Sequence, residues 1–223
     1  DSTNKYVEER KGQLSPPTLV IGIQQRHGKG QGTNRWDSKK GDLTFTLFCS
    51  LGKIDISSFF ILSQIVSLEI VSFLLEYGIQ ARIKWPNDIY WNDRKICGML
   101  LEHDLRGSEI ACTRIGPGIN INQQQFFSDA PNPVSLYQIL GHDTDLTTFL
   151  HQFLQRFSLA YTALRSGARQ SIDWQYHQRL YRREGLFPYA DAQGTFRARL
   201  IGVLPDGTLQ LEDEAGRLRK YAF

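Results

Sequence analysis

Cysteine, methionine and long apolar runs are all scarce in this sequence. The 223 residues include three cysteines, with no Cys-x-x-Cys pair among them, and five scattered histidines. This pattern predicts neither a disulfide framework nor a metal cage. Cysteines inside apolar stretches, such as Cys49, are typical of buried thiols in a reducing compartment, so we expect a cytoplasmic protein.

The longest apolar stretch, residues 59–75, contains five polar residues, one of which is Glu69. A membrane span would bury these groups at a high cost, whereas a central helix of a globular domain tolerates them. We therefore expect no membrane partner.

Net charge is small but unevenly distributed. Lysine and arginine total 26 against 23 acidic residues, for a net charge of +3, and this balance does not favour nucleic-acid binding. Residues 24–40, in contrast, hold five basic residues and one acidic residue, for a net charge of +4. Glycines at 28, 30 and 32 would let backbone N–H groups face an anion, although the spacing fits neither G-x-G-x-x-G nor a P-loop. An ordinary solvated loop is the alternative.

Short strand-like segments with few helices between them predict an α+β fold, with a mixed β-sheet packed against helices. The expected strands are 19–23, 43–50, 82–85, 88–91, 95–103 and 111–115, the last broken by Gly116-Pro117-Gly118. The expected helices are one capped by Asp55 and ended by Gly78, one from Asp145 to about Arg165, and one over 172–181.

The character of the chain changes at Gly185. Beyond it, short alternating segments are separated by turns at 205–207 and 214–216, which predicts a small all-β unit. We expect two domains, 1–184 and 185–223.

A second polar segment combines Lys84-Trp-Pro-Asn-Asp88 with Asp93-Arg-Lys-Ile-Cys-Gly98. On neighbouring strands, two lysines, an amide and a carboxylate would converge at one end of a sheet. Chemistry at a phosphate needs such cations, and a carboxylate can hold Mg²⁺. A hairpin with solvated lysines is the alternative interpretation.

Together these segments resemble the motifs of biotin protein ligases in order and spacing. The matching segments are Asp1–Asn4, Gln25 leading into Gly28–Trp36, Lys84–Asp88, Arg94–Gly98 and Gly116–Asn120. The resemblance is dense over residues 1–122 and rests on architecture beyond them. It implies a class II synthetase-like biotin/lipoate ligase catalytic domain followed by a small SH3-like β barrel.

The resemblance also implies an activity. Such an enzyme is an ATP-dependent, AMP-forming ligase that joins biotin to ATP with Mg²⁺, giving biotinyl-5′-AMP and pyrophosphate. It then transfers biotin to one lysine of the biotin carboxyl carrier protein or domain of a biotin-dependent carboxylase. The protein would be a monomer or a homodimer.

The resemblance assigns roles to individual residues. Lys95 and Asp88 would be catalytic, with Asp88 also a candidate Mg²⁺ ligand. The residues assigned to biotin are Ser2, Thr3, Asn4, Gln25, Lys29, Gly30, Gln31, Trp36, Lys95 and Gly98. Those assigned to ATP or the adenylate are Gly28, Lys29, Gln31, Lys84, Asn87, Asp88 and Asn120.

Two departures from the family pattern carry expectations. Where the family commonly has Gly-Arg-Gly-Arg, this chain has Gly28-Lys29-Gly30-Gln31. Neither lysine nor glutamine has the forked donor geometry of arginine. We therefore hypothesise that this protein retains biotinyl-5′-AMP more weakly. Because Asp1–Asn4 stands at the start of the chain, there is no room for the helix-turn-helix domain of the family's regulatory members. DNA repression is not expected of this chain.

Two alternatives stay open. A lipoate or octanoate ligase or transferase shares the fold, although the Trp-Pro pair before Asn87 and the Gly-Lys-Gly loop favour biotin. The other alternative is a non-catalytic module that binds nucleic acid or protein, suggested by five arginines against one aspartate in residues 165–183. That basic segment could equally face an acidic carrier domain.

Overall fold

The computed structural model describes residues 2–32, 34–52, 54–55, 59–126 and 131–223, with the backbone alone at positions 26 and 37. Its helices are α1 (Thr3–Arg10), α2 (Phe60–Glu76), α3 (Leu136–Leu140), α4 (Leu146–Arg165) and α5 (Arg169–Gln178). Its strands are β1 (Thr18–Gly22), β2 (Gln25–Lys29), β3 (Arg35–Ser38), β4 (Leu43–Cys49), β5 (Arg82–Lys84), β6 (Asp88–Trp91), β7 (Arg94–Arg106), β8 (Glu109–Ile119), β9 (Phe187–Asp191), β10 (Gly194–Val203), β11 (Leu209–Asp213) and β12 (Leu218–Tyr221).

The large sheet has six strands in the order β1-β4-β8-β7-β6-β5. Its strand pairs are antiparallel, and parallel pairing is confined to isolated bridges such as Ile83 with Leu180. Helices cover the sheet, so the α+β fold class is confirmed. The long central strands β7 and β8 are the part of the sheet that carries the site described below.

Helix α2 is apolar on nearly all sides and is the centre of the core. It packs against α4 and α5, and its buried residues include Phe60, Leu62 and Ile65. Helix α4 is amphipathic, with Phe149 and Phe153 fully buried. No helix of the described ranges is long and apolar enough to cross a membrane.

The ends of α2 and α4 can be compared with the helix caps that the sequence predicts. The Asp145 side chain accepts a hydrogen bond from the Thr148 N–H, which confirms it as the cap of α4. Gly78 has a φ of +74° just after α2, which confirms it as the residue that ends this helix. The prediction for Asp55 was wrong, because α2 begins at Phe60 and Asp55 instead forms a β-bridge with Glu109. Positions 56–58 of the expected helix lie outside the described residues.

Strand β8 runs without a break through Gly116-Pro117-Gly118, contrary to the prediction. Pro117 lies opposite Met99 of β7, and the Met99 N–H bonds to the Asn87 carbonyl on the other side. The missing N–H of proline therefore interrupts no bond between β7 and β8.

Three further differences concern local elements. The basic segment expected to be a loop folds as the β2–β3 hairpin. Helix α5 ends at Gln178 rather than at 181, and α1, α3 and β9 were not predicted. Helix α1 was missed because its apolar signal is weak, with Val7 as its one buried aliphatic side chain.

The C-terminal residues form the expected small β unit, a four-stranded sheet in the order β12-β11-β10-β9. It is joined to the core by aromatic packing. The centroid of the Phe223 ring lies 5.0 Å from that of Phe60 and 5.6 Å from that of Phe59. Trp85 Nε1 also donates a hydrogen bond to the Gly207 carbonyl at 2.8 Å. The C-terminal sheet is therefore anchored close to one end of the large sheet.

The contact between Phe60 and Phe223 generates a prediction. Phe60 is fully buried and also contacts Tyr176, so Phe60→Ala leaves a cavity where helices and the C-terminal sheet meet. We expect it to lower the free energy of unfolding by about 3–5 kcal/mol in urea titrations. Leu159→Ala, at a position 72% exposed on α4, is the control and should stay within about 0.5 kcal/mol. Equal losses in the two variants would contradict this assignment of the core.

Candidate functional site

The site lies on two bare glycines of the large sheet. Asp88 of β6 pairs with Gly98 of β7, and Gly98 pairs with Gly118 of β8. The Trp36 ring, from the β2–β3 hairpin, lies directly on these glycines. A Cβ atom would come within 2.4 Å of the Trp36 ring at Gly118 and within 3.1 Å at Gly98. Glycine at position 118 is therefore required for this close approach of the indole, and a side chain at position 98 would make the contact tight.

An ion pair lies beside Gly98 and Gly118, which together we call the glycine floor. Lys95 Nζ lies 2.6 Å from Asp88 Oδ1, and 5.6 Å from the centroid of the Trp36 ring. The main chain of Lys95 is held on both sides, because its N–H donates to Asn132 and its carbonyl accepts from Val134. The ammonium group is thus attached to a fixed backbone while its side chain remains 30% exposed. It can reach an anion that enters the pocket.

The opposite end of the pocket is polar and buried. Thr3 N–H donates to Gln25 Oε1 at 2.8 Å, and the Thr46 hydroxyl lies 2.8 Å from Thr3 Oγ1 and 2.5 Å from Asn4 Oδ1. A Cβ atom at Gly116 would come within 2.2 Å of Asn4 Oδ1, so glycine is needed here as well. The start of α1 is thereby locked against β4 and β8 in a hydrogen-bonded network.

The hairpin tip covers the pocket. Gly30 N–H bonds to the Asn34 carbonyl and Asn34 N–H to the Gln31 carbonyl, which closes the turn. Lys29 Nζ reaches Glu102 Oε1 of β7 at 2.6 Å. Burial disfavours the charged form of Glu102, but the hydrogen bonds from Lys29 and Asn4 outweigh that effect and lower the pKa of its carboxyl. Glu102 is therefore an anion at neutral pH.

Two buried side-chain atoms of pocket residues, Trp36 Nε1 and Thr44 Oγ1, have no hydrogen-bond partner among the described residues. A buried donor without an acceptor is costly, and native structures rarely retain one unless it has a role. Both atoms belong to residues that line the pocket but are themselves shielded from solvent.

Twelve predicted site residues are brought together as lining of this pocket: Ser2, Thr3, Asn4, Gln25, Lys29, Gly30, Gln31, Trp36, Asn87, Asp88, Lys95 and Gly98. They come from α1, the hairpin, the turn before β6, and strands β6 and β7. Segments far apart in sequence thus meet around one cavity.

Three predicted residues, Gly28, Lys84 and Asn120, are not part of that lining. Gly28 serves the hairpin itself, because a Cβ there would meet the Trp36 carbonyl. Asn120 is buried, and its side chain donates to the carbonyls of Lys95 and Val134, so it supports the backbone behind the site.

Lys84 borders a different cavity. Its Nζ bonds to the Tyr90 hydroxyl at 3.0 Å, and it lines a space of about 570 Å³ between β5 and the C-terminal sheet. That cavity is larger but mainly apolar and aromatic, and it lacks a buried polar network and the lysine–aspartate pair. Chemistry, rather than size, therefore selects the smaller pocket as the site.

Sequence reasoning missed several lining residues: Asn34, Arg35, Thr44, Met99, Leu100, Gly116 and Gly118. The alternating glycines of β8 were the available signal, since they leave one face of a strand bare. Thr44 carried no signal, because threonine is common in strands.

Some predicted features lie outside the described residues, namely Asp1, Thr33 and the side chains of Arg26 and Asp37. In the described ranges, no group of three or more His, Cys, Asp or Glu side chains could hold a metal ion. The arginines of residues 165–183 do not share one helix face. The chain turns between α4 and α5, and Arg182 Nη1 binds the Pro188 carbonyl beyond α5.

Comparison with protein families gives a match over residues 1–120, to the Biotin/lipoate A/B protein ligase family. The match covers the polar end of the pocket, the hairpin, the ion pair and the glycine floor. The chain belongs to this family.

Individual relatives agree with this assignment. The bifunctional ligase/repressor BirA of Bacillus subtilis is 27% identical, and the alignment covers 99% of this chain and 70% of that protein. The biotin–[acetyl-CoA-carboxylase] ligase of Paracoccus denitrificans is 29% identical over 71% of this chain and 68% of its own length. Among solved structures, a biotin protein ligase from Aquifex aeolicus in complex with biotin and ATP matches with a TM-score of 0.81. It is 23% identical and covers 100% of this chain and 92% of that one. The fold is therefore that of biotin protein ligases.

The glycine floor generates a prediction. Gly118→Ala places a methyl group against the Trp36 ring, and we expect it to lower the free energy of unfolding by about 1–3 kcal/mol. The cost should largely disappear in a Trp36→Ala background, because the clashing ring is then absent. The cost of Gly118→Ala with Trp36 present and its cost with Trp36 replaced are both measured by urea titration of the unaltered protein, the two single variants and the double variant.

The matched control for this prediction is Gly12→Ala, because a Cβ at Gly12 meets nothing within 4 Å. It should be neutral or slightly stabilising. A cost at Gly118 that is the same with and without Trp36 would contradict the proposed packing.

Proposed function

We propose that this chain is a biotin protein ligase that activates biotin with ATP and then transfers it to a lysine of a carrier protein. The observation that carries the proposal is the Lys95–Asp88 ion pair beside the glycine floor, under a basic hairpin and opposite a buried polar network. Family membership supports an ATP-dependent ligase.

The reaction needs activation because a carboxylate and an ammonium group do not condense in water. In the first step a biotin carboxylate oxygen forms a bond to the α-phosphorus of ATP, and the bond to the bridging oxygen of pyrophosphate breaks. In the second step a carrier lysine amine, having lost a proton, attacks the acyl carbon and AMP departs. The first step brings two anions together, and the second develops negative charge on the acyl oxygen and on the departing AMP. A fixed cation at the junction therefore lowers both barriers.

Lys95 is suited to that junction. Its ammonium group lies at the rim of the glycine floor and is held by a backbone that Asn132 and Val134 fix. Asp88 orients the ammonium before ligand arrives, and an incoming phosphate can take over as its partner. Asn87 supports this turn from behind, because its side chain donates to the Met99 carbonyl.

The polar end of the pocket is suited to the ring system of biotin, whose ureido group has both donors and acceptors. The residues available to it are Ser2, Thr3, Asn4 and Gln25, with the Trp36 ring as a wall. This arrangement favours biotin over lipoate or octanoate, whose distal ends are apolar and would leave these buried groups unpaired.

Mg²⁺ is proposed on the chemistry of the donor set. Asp88 offers a carboxylate beside the position assigned to the phosphates, and Mg²⁺ commonly binds one or two carboxylates together with phosphate oxygens and water. When bound, the ion would neutralise charge on the triphosphate.

Partner and organisation follow the same proposal. The acceptor is a biotin carboxyl carrier protein or domain, as the name of the Paracoccus relative suggests, and the enzyme is a monomer or homodimer.

The proposed domains are 1–184 and 185–223, and β9, the first strand of the C-terminal sheet, begins at Phe187. All three cysteines are free thiols, which supports the cytoplasm as the compartment.

The first test removes the catalytic lysine. Lys95→Ala should reduce biotin-dependent exchange between ATP and pyrophosphate by at least about 100-fold, because the fixed cation at the reacting oxygens is lost. Lys220→Ala, which removes an exposed lysine of β12 far along the chain from the motifs, should leave exchange unchanged. Exchange that survives in Lys95→Ala would overturn the assignment of this residue.

A second test concerns the missing arginine of the hairpin. Gln31→Arg adds a forked cation at the tip, and we expect biotinyl-5′-AMP to dissociate about tenfold more slowly, since charge-assisted hydrogen bonds contribute about 1.5–3 kcal/mol. Gln31→Lys adds charge without the fork and should have a smaller effect. The dissociation rate is read by chasing labelled adenylate with excess unlabelled adenylate, and an unchanged rate in Gln31→Arg would refute the hypothesis of weak retention.

A further inference from the structure

The geometry points to Glu102 as a positioning residue of this ligase, one that acts through Lys29 to hold the β2–β3 hairpin over the pocket. The inference rests on the proposed function, because the hairpin covers the site assigned to biotinyl-5′-AMP. Lys29 ends β2, Glu102 lies in β7, and the two are 73 positions apart in sequence. Their side chains meet above the pocket at 2.6 Å.

The hairpin needs such an attachment at its tip. Strands β2 and β3 form a two-stranded sheet of their own and do not pair with a strand of the large sheet. The base of the hairpin is secured by buried contacts, from Gln25 to Thr3 and from Trp36 to the glycine floor. The turn at 30–34 is closed by backbone bonds within itself. Among the side chains that the structure describes, the ion pair from this hairpin to the large sheet is Lys29 with Glu102.

The second carboxylate oxygen of Glu102 faces the polar end of the pocket. Glu102 Oε2 accepts a hydrogen bond from Asn4 Nδ2 at 3.1 Å, and Arg114 Nε lies 3.7 Å away. Asn4 is 3% exposed and its other amide atom accepts from Thr46, so the orientation of its amide is fixed. One carboxylate therefore connects the cover of the pocket to the group that would meet the head of biotin.

The strength of this attachment sets the size of the expected effect. The Lys29 side chain is 56% exposed, and exposed ion pairs contribute little to stability. Lysine makes one point contact where the family's arginine could make two, and Gln31 adds no charge to the tip. The attachment is thus weak, and its loss should change ligand dissociation by about two- to fivefold rather than abolish activity.

Hydrogen exchange of the ligand-free protein tests the hairpin directly. In Glu102→Gln the carboxylate is replaced by an amide of the same shape. Backbone amides at positions 28–32 and 34–36 should then exchange about two- to fivefold faster than in the unaltered protein. Lys29→Gln should give the same result, and the double variant should be no faster than either, because both changes break one interaction.

Dissociation of biotinyl-5′-AMP gives the functional result. Glu102→Gln and Lys29→Gln should each release the adenylate about two- to fivefold faster, again without adding in the double variant. Added salt should accelerate release from the unaltered protein and have less effect on Glu102→Gln, since salt screens the ion pair. A role confined to folding would not produce this difference in salt dependence.

The matched control is Glu212→Gln in the C-terminal sheet. Glu212 likewise pairs with a cation that is more than half exposed, Arg199, at 2.8 Å, and its own side chain is 29% exposed against 23% for Glu102. It should leave both hairpin exchange and adenylate release unchanged. Unchanged hairpin exchange in Glu102→Gln, or effects of Glu102→Gln and Lys29→Gln that simply add, would overturn the inference. If the protein formed no biotinyl-5′-AMP, the proposed function would fail, while hydrogen exchange would still decide whether Glu102 holds the hairpin.

Discussion

The close approach of the Trp36 ring to two bare glycines is the contact on which the rest of the site depends. Gly98 and Gly118 face each other on β7 and β8, and a side chain on either would push the indole away. The same pairing places Asp88 opposite Gly98, so the ion pair stands at the edge of this floor. Antiparallel register therefore sets the distance between the apolar wall and the charged group.

The charged end of the pocket is arranged before any ligand is present. Lys95 and Asp88 form a short ion pair in a partly exposed position, where partners can exchange at modest cost. In the proposed mechanism an entering anion would replace Asp88 as the partner of the ammonium, and the carboxylate would become available to a hard cation. Adenylate formation would then rely on preorganised charge rather than on movement of the sheet.

Much of the sheet could be predicted from local sequence, whereas the site's cover could not. Strand β10 is readable because its alternation reflects one buried face. Strand β4 also alternates in sequence, although all of its residues are buried. The β2–β3 hairpin has three glycines and few apolar residues, and tertiary contacts of Gln25 and Trp36 hold it in place. Pro117 was interpreted as a break, because its position opposite Met99 is set by a distant strand.

The motifs predicted most residues of the pocket. They did not distinguish residues that line the pocket from residues that support its backbone from behind. Asn120 belongs to a matching motif, yet its amide holds the backbone of Lys95. Glu102 belongs to none of the motifs used, yet it joins Lys29 to Asn4. Side-chain direction and long-range pairing decide these roles, and neither is visible in sequence spacing.

The most direct test of the central claim is substrate choice in the exchange between ATP and pyrophosphate, measured with biotin, lipoate and octanoate in parallel. The buried polar network around Thr3, Asn4 and Gln25 predicts exchange with biotin and little with the other two acids. Exchange that depends on lipoate or octanoate and not on biotin would contradict the account.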